Sequence, residues 1–181
     1  MSDRVTESEP VLGPRPRAGR RGGALSDVLV VLGSMLVLGL VCGLLWWLLV
    51  NPAEFTKMRA GGAMGEVQLG RRFDADGWYV VLGLVAGLGA GVALLWWRSR
   101  DALLTTGLLV AGSVLAAAVT AVVGRLLGPG DPQARLEAAR IGAHVPVQLA
   151  VDAWTAYLTW PIGVLAGALL VLWSKPLEPE L

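Results

Sequence analysis

Charge, cysteine and histidine are all scarce in this 181-residue sequence: 16% of the residues are Asp, Glu, Lys or Arg, Cys42 is the only cysteine and His144 the only histidine. A single cysteine excludes an intramolecular disulfide and any metal cluster built on several thiolates. A single histidine leaves a histidine metal site or a Ser-His-Asp relay resting on one residue, with no neighbouring pattern to support it. His144 therefore reads as a solvated loop histidine, and Cys42, inside an apolar run, as a small packing residue. The formal net charge is +1. With its charges confined to tails and connections, the chain lacks the basic footprint of a nucleic-acid binder.

Charged side chains are missing altogether from four long runs, 28–50, 77–97, 102–124 and 153–174, in a chain that is 55% hydrophobic with a mean hydropathy of +0.62. An α-helix rising about 1.5 Å per residue needs roughly 20 apolar residues to cross a hydrocarbon core about 30 Å thick, and each run is long enough. The runs are apolar all round, without the polar stripe of a surface helix, so lipid is the economical surrounding. The fold class is thus predicted to be all-α: a polytopic membrane protein with a four-helix transmembrane bundle. The spans are placed at about 25–50, 77–97, 102–127 and 150–173, within a single domain over 24–174. Residues 1–23, with two Pro-containing stretches and no apolar period, read as a disordered cytoplasmic tail, and 175–181 as a second cytoplasmic tail. Arg20-Arg21 before the first run has the look of an export signal, but that run is too long for a signal core and no A-x-A-like site follows, which makes it an uncleaved first helix.

Orientation follows from the arginines. Arg15, Arg17, Arg20 and Arg21 flank the first span, and Arg98 and Arg100 occupy the tight turn between the second and third. Under the positive-inside rule both segments, and with four spans both termini, are cytoplasmic. Lys57, Arg59, Arg71, Arg72, Arg135 and Arg140 on the two longer connections weigh against this, interspersed there with acids. Trp46, Trp47, Trp78, Trp96, Trp97 and Trp173 lie at span ends, where an amphipathic ring gains from headgroup depth, and are assigned as interfacial anchors.

The outer connections are 51–76 and 128–151. In the first, Asp74 and Asp76 are candidate N-caps for the second helix, and 67–69 a short extended segment. In the second, Asp131 is a candidate N-cap, Pro132 fits the first helical position and Gly142 the residue after the end, giving a surface helix over 132–141. Asp74-x-Asp76-Gly77 opens like a calcium loop, but the twelfth position, where a bidentate acid is required, is Val85 inside a span. Asp131-Pro132-Gln133-Ala134-Arg135 is similar to the opening of the CDP-alcohol phosphotransferase signature, yet Pro132 replaces its glycine and the later acids are missing. No catalytic residue, metal site or cofactor is assigned.

The polar residues at membrane depth, Ser34, Thr105, Thr106, Ser113, Thr120, Thr155 and Thr159, can all satisfy themselves on their own helix backbone, which disfavours an ion-coupled transporter. Arg125 and Asp152, at helix ends, form one candidate ion pair, with snorkelling or capping as the alternative. Together with Arg71, Arg72, Asp74 and Asp76 they make up a candidate polar cluster on the outer face. The strongest pattern is packing. Gly83, Gly87 and Gly91 line one face of the second helix, and Gly112, Ala116, Thr120 and Gly124 one face of the third, with Gly39/Gly43 and Gly163/Gly167 as single pairs; such spacing lets helix backbones approach closely. Pro161 is expected to kink the fourth helix, either structurally or to open a cavity.

Thirteen Arg against two Lys, with two Ile and one Asn, suggest a GC-rich bacterial genome. The stretch Phe73-Asp74-Ala75-Asp76-Gly77-Trp78 and the step Trp160-Pro161, within a match covering about residues 25–173, resemble a family of small actinobacterial four-span membrane proteins described only as a domain of unknown function. The resemblance implies a cell-membrane location and carries over no catalytic or binding residue. The leading functional expectation is a non-enzymatic envelope protein that acts through association, its partners being the lipid bilayer and either further copies of itself or another membrane protein. Two further readings stand beside it. A small permease or channel component would need a partner to enclose a polar path. A membrane enzyme would draw its outer-face site from Asp74, Asp76, Arg71, Arg72, Asp131, Arg135, His144 and Asp152.

Overall fold

The computed structural model describes residues 20–97 and 102–174. The tail assignments for residues 1–19 and 175–181, and the turn holding Arg98 and Arg100, lie outside the described residues. In order, the elements are α1 (Arg20–Leu49), β1 (Glu54–Met58), β2 (Gly61–Ala63), α2 (Glu66–Trp97), α3 (Ala102–Leu127), α4 (Pro132–Ala138), β3 (His144–Pro146), a 3-10 turn (Trp154–Leu158) and α5 (Thr159–Ser174). The structure is 76% helix, and among the described residues four helical segments are long and apolar enough to cross a membrane.

Their lengths differ in a way the apolar runs do not disclose. At about 1.5 Å per residue α2 is about 48 Å long, whereas α5 alone reaches only about 24 Å. The 3-10 turn in front of α5, rising about 2 Å per residue, adds about 10 Å. Pro161 falls in the first turn of α5. α5 begins two residues earlier, at Thr159, directly after the 3-10 turn, so Pro161 lies where the chain passes from 3-10 to α, in a first turn where proline is tolerated.

The largest departure from the sequence reading is the start of α2. The helix begins at Glu66, so 67–69 is helical and not extended, and Asp74 and Asp76 lie inside the helix and do not cap it. The Asp-x-Asp-Gly punctuation suggested a boundary, but Glu66, Gln68, Arg71 and Arg72 are good helix formers, and the single Gly70 costs only about 1 kcal/mol. α4 is capped as read: the Asp131 side chain accepts the Gln133 N–H at 2.9 Å and Pro132 opens the helix. It stops at Ala138, short of 141, with the Ala139 N–H turned back to the Leu136 carbonyl at 3.3 Å. Gly142, at φ +88°, serves the following turn, where its N–H donates to the Lys57 carbonyl at 2.8 Å.

That last bond belongs to a feature the helical reading did not contain. The two long connections pair with each other as a three-stranded antiparallel sheet of order β2-β1-β3. Thr56 faces Ala63 on one side and His144 on the other. The two-residue turn Arg59-Ala60 joins β1 to β2, and Gly61, at φ +135°, opens β2 opposite Met58. Beyond the strands the ladder continues through Lys57 N–H to the Ala143 carbonyl at 2.9 Å and Val147 N–H to the Ala53 carbonyl at 2.7 Å. Leu136 of α4 rests over Gly62.

The helices associate chiefly as two pairs, α1 with α3 and α2 with α5. In the second pair the contact is between backbones. A Cβ added to Gly87 would stand 2.6 Å from the Trp160 carbonyl oxygen, and one added to Gly91 would strike that of Val164. The relation is reciprocal, since a Cβ on Gly163 would lie 2.7 Å from the Leu84 carbonyl oxygen and one on Gly167 would strike that of Leu88. Gly83 admits the Thr159 hydroxyl and the Trp160 indole. That indole is fully buried, and its Nε1 has no hydrogen-bond partner among the described residues. The first pair mixes backbone contact with knobs: Gly39 lies against Ala116, Gly112 receives Met35 and Gly124 receives the Trp46 ring. Thr120 Oγ1 donates to its own helix at the Ala116 carbonyl, 2.8 Å away, and lies 3.1 Å from the Gly39 carbonyl across the pair.

The pairs are joined by two buried aromatic residues. Trp46 Nε1 of α1 donates to the Ala75 carbonyl of α2 at 2.8 Å, and Tyr79 of α2 donates its hydroxyl to the Ala117 carbonyl of α3, also at 2.8 Å. Their rings meet edge to face with centroids 5.4 Å apart. Trp46 is 0% exposed, so its assignment as an interfacial anchor is corrected, whereas Trp47, Trp78, Trp96, Trp97 and Trp173 all stand on the outer surface of the helices. Position within a span predicts depth but not direction: Trp46 points inward beside the exposed Trp47, whereas Trp96 and Trp97 both face out.

Leucine at Gly87 or Gly91 is expected to cost at least the roughly 1 to 3 kcal/mol of an overpacked contact. Leucine at Gly107, where an added Cβ meets nothing within 4 Å, should stay within about 0.5 kcal/mol of the parent. Denaturant titration of helicity in detergent micelles measures both, and equal losses at Gly87 and Gly107 would contradict the backbone contact. Tyr79→Phe, which keeps the ring and removes the hydroxyl, should cost about 0.5 to 1.5 kcal/mol in the same assay.

Candidate functional site

The first three turns of α2 run beside the sheet, and three of their polar residues, Gln68, Arg72 and Asp76, tie them to the two connections. Arg72 and Asp76 are four residues apart on a helix and so share a face. Along that face runs an extended strap, residues 147–153, which leads from β3 to the 3-10 turn. The Asp76 carboxylate accepts two consecutive backbone N–H groups at the C-terminal end of the strap, Asp152 N at 3.0 Å and Ala153 N at 3.1 Å, one on each oxygen. Arg72 donates from Nε at 3.0 Å and from a terminal nitrogen at 2.7 Å to one oxygen of Asp152. On the side facing the sheet, the Gln68 side-chain oxygen accepts the Glu54 N–H at 2.9 Å, tying α2 to the start of β1.

These contacts are unequal in strength. The Arg72 and Asp152 side chains are 40% and 47% exposed. An ion pair so placed is screened by solvent and is worth at most about 1 kcal/mol. The Asp76 bonds run from a carboxylate to two amides, each charge-assisted and about twice the strength of a neutral bond. Asp76 is therefore the main clasp and Arg72 its support. Leu149, buried in the middle of the strap, packs at Gly128 at the end of the bundle that carries the sheet.

Of the six residues read as an outer-face cluster, the structure brings together Arg72, Asp76 and Asp152. Arg71 is half-buried and lines a water-sized space beneath the strap with Pro52, Ala53 and Gln148, while Asp74 and Arg125 are exposed. The ion pair suggested between Arg125 and Asp152 is replaced by Arg72 and Asp152, because α2 starts early enough to carry Arg72 to the strap. His144 is exposed at the sheet, its Nδ1 3.5 Å from Thr56 Oγ1 and 3.8 Å from the Glu54 carboxylate. Asp131 is occupied as a helix cap. A shallow depression of about 280 Å³ lies against the clasp, lined by Leu69, Arg72, Phe73, Asp76 and Asp152. Among the described residues, no three His, Cys, Asp or Glu side chains are grouped so as to hold a metal ion.

Three contributors escaped the sequence reading: Gln68, Leu149 and Tyr79. Only Tyr79 left a signal, because stepping back by four from the glycine series at 83, 87 and 91 reaches 79 and then Ala75, the two positions of α2 that meet the buried aromatic joint. Gln68 and Leu149 act across the chain, Gln68 from the polar first turn of α2 and Leu149 from an irregular segment, and neither position carries an apolar period to mark it.

No family model, curated protein or solved structure matches this chain. Its functional reading therefore rests on the geometry of the clasp, the sheet and the helix pairs.

Asp76→Ala should free the strap. Hydrogen exchange at the amides of 147–157 is expected to speed up by at least tenfold, the equivalent of the roughly 1.4 kcal/mol that separates decades, within the range for losing charged hydrogen bonds. Arg72→Met should change the same exchange by less than about fivefold, as befits a half-exposed ion pair. A larger effect at Arg72 than at Asp76 would reverse the order of the two.

Proposed function

We propose that this chain is a four-span protein of the cell membrane, with both termini cytoplasmic, that works without catalysis by presenting its folded outer platform to another envelope protein. The observation that carries the reading is the joining of the two outer connections: Thr56 and His144, 88 residues apart in sequence, are paired across one sheet. Loops that serve only to return the chain have no need of a common sheet, a clasp and a capped helix. Segments longer than about 12 to 15 residues are usually functional or disordered, and these two are ordered.

The length of α2 supports the same arrangement. A helix of about 48 Å exceeds a hydrocarbon core of about 30 Å by about 18 Å. Setting Trp78 at the outer interface puts that excess, residues 66–77, beyond the lipid. Phe73 and Val67 are both 74% exposed, and Met58, Ile141 and Trp154 are exposed as well. Large apolar side chains held on a rigid scaffold are what a protein partner buries. The interior favours this reading over a transported substrate, since Trp46, Tyr79 and Trp160 are fully buried in it and Ser113 and Thr120 are turned onto backbone carbonyls. Membership of the small actinobacterial family that the sequence resembles is part of the proposal, as is the orientation, which follows the arginines of the N-terminal flank.

Two measurements test the reading. With buried Cys42 replaced by serine, cysteines introduced at Ala60 and Gly130 should react with an impermeant thiol reagent in whole cells, and one at Ser99 should not; labelling at 99 without labelling at 60 would invert the orientation. A photoreactive residue at Phe73 or Met58 should cross-link in intact cells to a discrete protein, and the adduct should be lost when Asp76→Ala loosens the platform. Absence of an adduct from both positions, with an unchanged envelope phenotype when each connection is replaced by a Gly-Ser linker, would overturn association at this face.

A further inference from the structure

We draw no further inference here: the strongest candidate, the apolar groove of about 680 Å³ between α1 and α2 lined by Gly33, Ser34, Val37, Gly89 and Ala93, carries nothing because no feature of the structure shows what covers it.

Discussion

The closeness of α2 to α5 is the constraint on which the rest of the molecule depends. Where two helices touch through carbonyl oxygens and glycine α-carbons, neither can slide or rotate without collision, because the neighbours that would have to yield are backbone and not flexible side chains. Helix association in lipid gains little from the hydrophobic effect and relies on dispersion summed over such contacts. The contact fixes the height of α2 relative to α5, and with it where the first turns of α2 emerge. Those turns carry Gln68, Arg72 and Asp76, so the positions of the sheet and of the strap are both set by glycines that lie far from either.

The two pairs are joined differently from the way each is made. Within a pair, small residues bring main chains together; between pairs, Trp46 and Tyr79 reach across with ring edges and hydrogen bonds to carbonyls already engaged in their own helices. A carbonyl oxygen has a second lone pair, so each of these bonds adds a link without breaking a turn. Buried aromatic residues with a polar tip are suited to this, since ring area fills the space and the tip specifies the register. Trp160 fills space in the same way from α5, with its ring edge admitted by the missing side chain of Gly83.

Much of the fold was legible in the sequence because its signals are periodic or compositional. Four apolar runs mark four helices by length alone, and the recurrence of Gly83, Gly87 and Gly91 marks a face, although spacing names no partner for it. Nothing in the series points to Gly163 and Gly167 as the reciprocal set, because that depends on topology. The sheet was illegible for a physical reason: strands of three to five residues containing Gly61, Gly62 and Pro146 are too short for alternation to register and are made by pairing at long range. The clasp was half legible. Asp76 and Asp152 stood out as charges near helix ends, but Asp76 was misassigned as a cap because an acid that binds backbone N–H groups of another segment looks, in sequence, the same as one that binds its own.

The pairing of α2 with α5 also imposes an order on synthesis. Gly91 and its counterpart Gly167 are separated by the whole of α3, the second long connection and the first half of α5, and at about 5 to 20 residues per second the second is made roughly 4 to 15 seconds after the first. During that interval α2 exists with its glycine face unmatched, and α1 waits in the same way for α3. Neither of the first two helices finds its principal mate in the other. The α1–α3 pair can close as soon as α3 is made, whereas the glycine face of α2 is matched only when α5, the last helix, arrives.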